Sequence, residues 1–407
     1  MAFLVAWSAT TALLHGSSDL DLFFWSAAQT AAHGHPLLIY STHTPGIDPF
    51  ANGPLGLVPL TGIAWLANVG HWADNIPLRT FVTTAVFSVF VWLMATRGFA
   101  AIERGRGVVQ WRLAAISAFL LAPALWISVV DFGHFEQPLE LWLALLAVGA
   151  VISRRPVAAG IAMGLALLTR TTALLYVVPL IFLAVGRYQH LFRVKYLFVA
   201  LLTAAAGIAP FAVADGGSVL HSLITYRAMQ PIGGGSFWAL PLGPTWQSLA
   251  MHGDTYFAIV LGVTICGVIS IRGGGLAPTW SNAAGLLTVA AACFPLFART
   301  AFPYYFLEPY VFAVVWWLAR PGAASNWRVS VPILITGDAV LTKWADVTPF
   351  TTIGVSDSVI SSVVMLAVVG LVAFDLVRTR AAQPARNDEV RTARSDTKEL
   401  VFAASRG

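Results

Sequence analysis

The sequence predicts an all-α polytopic membrane protein, and three observations carry this prediction. Of the 407 residues, 57% are hydrophobic and only 11% are charged, whereas soluble globular proteins carry about 25% charged residues. Long apolar runs such as "LWLALLAVGAVI" recur along the chain, whose mean hydropathy is +0.75, and such runs require lipid. Nearly all basic residues fall in short segments between these runs or in the carboxyl-terminal tail, as they do in polytopic membrane proteins.

The positions of the basic residues predict about twelve transmembrane helices with both termini in the cytoplasm. The membrane domain covers residues 1–377, and its first outer loop is large, residues 17–78. Within that loop, the stretch 54–70, "PLGLVPLTGIAWLANVG", is predicted to be a re-entrant or interfacial helix. If it spanned the membrane, the next basic loop would lie outside, against the usual charge distribution. A spanning helix at 54–70 remains the alternative.

Three further segments depart from simple spans. The stretch 156–186 is too long for one span and is interrupted around Arg170, which predicts two short helices that meet at this arginine. Residues 215–254 are rich in Gly and Pro with scattered aromatic residues, and they suit a partly ordered outer lid over a cavity. Residues 378–407 lack apolar periodicity, which predicts a disordered, basic cytoplasmic tail close to anionic lipid.

Several classes of function are disfavoured by composition. The net charge of +5 does not indicate nucleic-acid binding, because the basic residues lie in loops and in the tail. The two cysteines, Cys266 and Cys293, lie inside apolar segments, so no disulfide framework is expected. Three histidines of the first outer loop have a spacing that fits no standard metal-ligand pattern, and no metal site is predicted from them. These histidines are His33, His35 and His43.

An acidic pair opens the first outer loop. Asp19 and Asp21 follow the first apolar stretch directly, in a chain that otherwise avoids charge. In an extended segment both carboxylates would face one cavity, whereas on a helix they would diverge. Two roles are open for Asp19. It could act as a general base at this membrane edge, or it could simply cap the interfacial helix that follows.

Other candidate site residues lie on the same predicted side. The segment "DFGHFEQ" contains His134 and Glu136 and is richer in polar groups than a connecting turn requires. Arg170 lies at membrane depth, where a charge is costly and usually faces a cavity or an anionic partner, although it could also reach the headgroups. The outer loops add four more candidates, from "TYRAMQ" and "FARTAFPYYFLEPY". They are Arg227, Arg299, Tyr304 and Tyr305.

The chain resembles the GT-C class of membrane glycosyltransferases. The first loop, "SSDLDLFFWSAAQTAAHGHPLLIYS", is similar to that of polyprenyl-phosphate-mannose-dependent mannosyltransferases, namely the mycobacterial enzymes of lipid-glycan assembly and the GPI mannosyltransferase I family. The segments "AAGIAMGLALLTRTTALLYVVPL" and "FPYYFLEP" also resemble segments of this class. Where several members have a Tyr-Pro-Pro-like motif, this chain reads "FANGPLGLVPL", which leaves the sugar open. The matching residues of the first loop are Asp19 and Asp21, Phe23 and Phe24, Ala27 and Ala28, Gly34 and Tyr40.

The resemblance implies a GT-C fold and an inverting transfer of a sugar, foremost mannose, from a polyprenyl-phosphate donor to a lipid-linked or glycan acceptor outside the cell membrane. Asp19 would be the base, and Asp21 would orient the acceptor or a divalent cation where one is used. No other cofactor is implied. Arg170 and Arg299 would bind the donor phosphate. The remaining candidates would contact substrate: His134, Glu136, Arg227, Tyr304 and Tyr305.

Two other classes of function remain open at this point. A transporter or flippase for lipid-linked sugars would use acidic residues inside the membrane and often shows inverted repeats. Asp338 is the only acid that the sequence pattern places well within a span, and no repeat is visible. A noncatalytic subunit of a glycan-assembly complex is the third candidate.

Overall fold

The computed structural model describes residues 19–41, 49–103, 124–125, 127–183, 189–226, 232–234, 236–239, 243–271, 276–320, 326–347 and 357–381. These residues form a helical bundle whose single strand pairing joins two dipeptides, Gly233–Gly234 and Thr300–Ala301. The predicted first span (residues 1–16), most of the predicted span at residues 112–130, and residues 382–407 of the tail lie outside the described residues.

The helices follow the apolar stretches of the sequence. A π-helical turn, Leu20–Phe24, leads into the first α-helix, and 3-10 turns at Thr171–Ala173 and Pro179–Phe182 flank the short α6. In chain order the α-helices are α1 (Trp25–Ala32), α2 (Pro54–Val69), α3 (Ile76–Glu103), α4 (Glu136–Ile152), α5 (Pro156–Thr169), α6 (Leu174–Val177), α7 (Gln189–Leu220), α8 (Pro244–Ile271), α9 (Trp280–Phe297), α10 (Leu307–Ala319), α11 (Ser330–Val347) and α12 (Asp357–Ala381).

Four described segments are long and apolar enough to cross a membrane: Ile76–Leu93, His190–Thr225, Trp280–Phe297 and Ile360–Arg378. The all-helical prediction therefore holds for the described chain. The predicted number of about twelve spans is not established by these four. Shorter apolar helices, among them α2 and α5, accompany them.

The centre of the bundle is the pair α9 and α10. Almost every side chain of both helices is buried, including the large indole of Trp316. By contrast, α7 exposes apolar side chains such as Val194, Phe198 and Leu202, as expected of a helix that faces lipid. The bundle thus has an apolar centre and an apolar outer surface.

The predicted break at Arg170 is present. Helix α5 ends at Thr169, and Arg170 adopts an extended conformation with φ −146° and ψ 139°. The chain then continues through short helical turns to Phe182. The break turns the Arg170 side chain into the bundle, where it meets charged partners.

The segments on either side of helix α2 contact the ends of neighbouring helices. At its start, Gly53 N–H donates to Thr169 O at 3.1 Å, at the end of α5. Beyond its end, the chain reaches Arg79 in the first turn of α3, and Arg79 forms an ion pair with Asp21. Since Asp19, two residues earlier, contacts His134 beside the start of α4, these helix ends lie together. The re-entrant or interfacial placement of residues 54–70 stays a prediction.

Two glycines allow α5 to pack directly against α7. A Cβ atom on Gly164 would lie 2.5 Å from Thr203 Cβ and 2.7 Å from Ala200 O, and one on Gly160 would lie 2.7 Å from Val199 Cβ. Small residues at this spacing let helix backbones approach closely in membranes. The contact holds α5, and therefore Arg170 at its end, in place.

We expect Gly164→Ala to destabilise the protein by about 1–3 kcal/mol, because the added methyl group overlaps backbone and side-chain atoms of α7. The measurement is thermal unfolding of the purified protein in detergent. Gly62→Ala is the matched control, since Gly62 is also helical and a Cβ there meets nothing within 4 Å. This control should be neutral or slightly stabilising. Equal melting of both variants would contradict the close packing.

Candidate functional site

A partly open cavity lies where the ends of α4, α5 and α10 meet the first outer loop, and its empty space, including the part open to solvent, is about 470 Å³. Polar and aromatic side chains from separate parts of the chain form its wall. The lining residues are Asp19, Phe23, Phe24, Ala51, Asn52, His134, Arg170, Tyr226, Tyr304 and Tyr305.

Asp19 lies at the wall of this cavity. It precedes the π-helical turn Leu20–Phe24, and within the described residues no side-chain hydrogen bond from Asp19 caps that turn. Its Oδ2 atom instead lies 3.0 Å from Nε2 of His134. Asp19 therefore does not act as a side-chain cap of this turn. Its carboxylate faces the cavity instead.

Asp21 points elsewhere. The segment is helical rather than extended, so side chains two residues apart diverge, and Asp21 does not line the cavity. It forms an ion pair with Arg79, whose guanidinium lies 4.6 Å from the centre of the Trp25 ring. Burial raises the pKa of Asp21, and the Arg79 charge opposes this only in part. The ion pair of Asp21 therefore links the first outer loop to α3, and Asp21 is not part of the cavity that Asp19 lines.

His134 lies between two carboxylates. Its Nε2 faces Asp19, and its Nδ1 lies 2.7 Å from Oε1 of Glu136. Burial by itself lowers the pKa of His134, but the Glu136 and Asp19 carboxylates outweigh it and raise this pKa above its usual value. Glu136 is buried behind His134 and does not line the cavity. Of the two candidates in the segment "DFGHFEQ", only His134 lines the cavity.

The backbone around His134 holds the ring in position. Gly133 has a φ of 73°, in the left-handed region that glycine adopts without strain. The N–H of His134 donates to Ser128 O at 2.8 Å. The Tyr304 ring stacks on the imidazole with 3.9 Å between centroids, and Phe24 meets it edge-on at 5.5 Å. These contacts aim the imidazole at Asp19.

Arg170 is buried among three carboxyl groups. Its guanidinium lies 3.4 Å from oxygens of both Glu136 and Glu140 and forms a shorter ion pair with Glu308. Although Arg170 lines the cavity, it is only 1% exposed. Because it is buried, the Arg170 side chain does not reach the lipid headgroups. Its positive charge is paired with carboxylates inside the protein.

Hydroxyl and amide groups complete this charged cluster. Tyr176 donates to Glu308, and Thr172 Oγ1 donates to Oε1 of Glu140 at 3.0 Å. Gln137 Nε2 donates to Oε1 of Glu308 at 3.3 Å. Glu140 and Glu308 were missed as site residues, although an acid within an apolar helix is a signal of function. Besides Asp338, the acids Glu140, Glu308 and Asp375 are also buried in helices.

The first outer loop reaches the site through Asn52 and Gly53. Tyr40 OH donates to Asn52 O at 2.9 Å, and Asn52 Nδ2 donates to Oε1 of Glu136 at 3.2 Å. A Cβ on Gly53 would lie 2.1 Å from Leu168 O, so only glycine fits between the loop and α5. Sequence reasoning missed both residues, because a single Asn-Gly pair in a loop usually indicates only a turn.

The remaining candidates divide into two groups. Tyr304 and Tyr305 line the cavity, as predicted for substrate contacts. Arg299 does not line it: the side chain is buried, and its Nε donates to Ala250 O at 3.0 Å. Arg227 lies outside the described residues, but the preceding residue, Tyr226, lines the cavity.

Tyr226 is brought to the cavity by a break in α7. Asp215 is non-helical, with φ −156° and ψ 78°, and its Oδ1 accepts from Ser218 N at 3.1 Å. Its Oδ2 accepts from Ser41 Oγ at 2.5 Å, which joins this break to the first outer loop. Tyr226 follows this break and lines the cavity, and the lid role of residues 215–254 stays a prediction.

Within the described residues, no group of three or more His, Cys, Asp or Glu side chains has a metal-binding arrangement. His33 and His35 are exposed on the first outer loop, and His33 Nδ1 lies 2.8 Å from Gln29 O. The lining of the cavity offers a carboxylate, an imidazole, a guanidinium and aromatic rings.

No protein-family model matches the chain, and no curated protein matches it either. Fold and site together define a class: an all-helical protein with apolar helices long enough to span a membrane and a polar, aromatic cavity at the helix ends.

Proposed function

We propose that this protein is a membrane glycosyltransferase of the GT-C type. It transfers a sugar, foremost mannose, from a polyprenyl-phosphate donor to a hydroxyl group of a lipid-linked or glycan acceptor outside the cell. The observation that carries the proposal is the Asp19 carboxylate in the wall of a cavity at the helix ends, hydrogen-bonded to His134. A lipid-linked donor presents its sugar at such a membrane edge.

In the proposed reaction, the acceptor hydroxyl attacks the anomeric carbon of the donor. Asp19 accepts the proton of that hydroxyl as the new glycosidic bond forms. The bond between the anomeric carbon and the phosphate oxygen breaks, and its electron pair leaves with polyprenyl phosphate. Inversion at the anomeric carbon follows from this single displacement.

The cavity supports the other requirements of this reaction. The positive charges of Arg170 and of protonated His134 at its wall favour an anionic donor, although Arg170 also balances buried carboxylates. Tyr226, Tyr304 and Tyr305 offer aromatic surface for the apolar face of a sugar ring. Arg299 and Asp21 have no part in the proposed mechanism, because neither lines the cavity.

Transport of a lipid-linked sugar is the second candidate. The buried cluster of Arg170, Glu140 and Glu308 favours it, because charged groups inside apolar helices are common along transport pathways. A transporter moves its substrate unchanged, whereas a transferase breaks the bond between sugar and phosphate. The two functions therefore differ in the product they give.

The experiment uses purified protein in liposomes that contain radiolabelled polyprenyl-phosphate mannose and an extract of acceptor lipids. The proposal expects label in a new glycolipid together with free polyprenyl phosphate. Intact donor appearing in the opposite leaflet would favour transport. Absence of both, with a folded protein, would favour a noncatalytic subunit. Protein-free liposomes are the control.

Sidedness can be tested separately, because the cavity and the Arg154–Arg155 turn lie at opposite ends of α4. In intact cells we expect His35→Cys to react almost fully with an impermeant thiol reagent and Arg155→Cys to stay at background. Both positions are exposed, while the native Cys266 and Cys293 are buried, so the unmodified chain is the control. Labelling of Arg155→Cys alone would reverse the proposed orientation.

A further inference from the structure

We propose that His134 acts as a doubly protonated positioning residue, which holds the Asp19 carboxylate for catalysis and makes transfer depend on the charge of its ring. This inference rests on the proposed function. It adds a requirement that neither the general base nor the resemblance supplies, namely a cation between two carboxylates at the cavity wall.

The geometry of the ring supports the charged form. Nδ1 lies 2.7 Å from Glu136 Oε1, and Nε2 lies 3.0 Å from Asp19 Oδ2. A neutral imidazole carries one N–H and can donate to only one of these carboxylates, whereas an imidazolium donates to both. Both contacts are made at once only if the ring is charged, since ionised carboxylates accept hydrogen bonds and do not donate them.

The surroundings keep the ring in this place. Four carboxyl groups belong to the connected network, and Arg170 opposes only part of their charge, so a second cation in the network lowers its electrostatic cost. Tyr304 covers one ring face, with an interplanar angle of 29°. The charged groups that face His134 directly or through Glu136 are Asp19, Glu136, Arg170, Glu140 and Glu308.

The consequence is a defined pH dependence. Because the folded-state pKa of His134 is raised, the imidazolium persists to higher pH than that of an exposed histidine, and it is lost as pH rises through the raised pKa. Transfer should therefore fall on the alkaline side as the ring loses its proton. Loss of the Glu136 carboxylate should move this alkaline limb to lower pH, because one stabilising charge is gone.

The experiment combines a transfer assay with NMR of protein labelled with nitrogen-15 in its histidine rings, in lipid nanodiscs. His134→Gln should lower kcat by about 10- to 150-fold, the value of one charge-assisted hydrogen bond, with little change in KM. It should also abolish the alkaline limb. Glu136→Gln should shift both that limb and the His134 titration to lower pH. His33→Gln, on an exposed histidine of the first loop, is the matched control and should change neither.

The outcomes separate this inference from the proposed function. A neutral His134 ring at neutral pH overturns the inference, whatever the transfer assay gives. An unchanged alkaline limb in an active His134→Gln variant overturns it as well. An inactive wild-type protein with a charged ring overturns the proposed function and, with it, the catalytic role of His134. If Glu136→Gln does not fold, two measurements still test the inference: the pH dependence of transfer by His134→Gln, and the NMR titration of the His134 ring in the wild-type protein.

Discussion

Replacing Asp19 by asparagine is expected to slow sugar transfer by about 100- to 10,000-fold, the usual contribution of a positioned general base. Asparagine keeps the size of the side chain and can still accept a hydrogen bond from His134, so the fold should be retained. The amide has no basic lone pair that could take the proton of the acceptor. Transfer rate per folded protein is the measurement, with the yield of detergent-extracted protein and donor-analogue binding followed in parallel.

Asp21→Asn is the internal control for this experiment. Asp21 pairs with Arg79 away from the cavity, so its replacement should affect stability more than catalysis. We expect the transfer rate per folded protein to stay within a few-fold of the wild-type rate. A collapse caused by Asp21→Asn alone would move the base to Asp21, and near-normal transfer by Asp19→Asn would remove Asp19 from the mechanism.

Replacing Arg170 by glutamine should unfold a large fraction of the protein rather than merely weaken donor binding. The change leaves Glu136, Glu140 and Glu308 buried together without the guanidinium that contacts all three. Breaking a buried ion pair by removing one partner costs about 3–5 kcal/mol. We expect a low extracted yield and a strongly lowered melting temperature.

Two further variants sharpen this test. Removing one carboxylate as well, in the double variant Arg170→Gln and Glu308→Gln, should restore part of the stability, because less unpaired charge remains buried. Arg155→Gln, at an exposed arginine, should change stability by no more than about 0.5 kcal/mol. Wild-type melting of Arg170→Gln with transfer lost would instead support the sequence-based prediction that Arg170 serves mainly to bind the leaving phosphate.

Much of the helical framework was predictable because hydropathy is a property of local sequence. The apolar stretches within the described residues form helices, and the over-long stretch 156–186 is broken at Arg170, where an arginine and threonines interrupt the apolar run. The predicted helix at residues 54–70 formed as α2, Pro54–Val69, whereas its placement relative to the membrane stays a prediction. These features depend on how each segment meets lipid or water, which composition and periodicity report directly.

The site was predictable only in part. Asp19, His134, Arg170, Tyr304 and Tyr305 were candidates and do line one cavity. The roles of these residues were harder to predict. Arg170 was predicted to bind the donor phosphate, yet in the structure its charge is paired with carboxylates of the protein. The prediction for Asp21 depended on an extended backbone, and the helical turn that formed instead rotated it towards Arg79.

The sequence by itself determined the class of protein, the helical segments, the break at Arg170 and the presence of chemically capable residues at loop positions. Only the tertiary structure decided which of them meet. Asp19 and His134 are 115 positions apart, and Arg170 and Glu308 are 138 positions apart. Such pairs depend on glycine contacts such as that of Gly53 and on close packing of α5 with α7. Local patterns carry no record of these long-range contacts, because each residue's own segment would form the same helix with or without its partner.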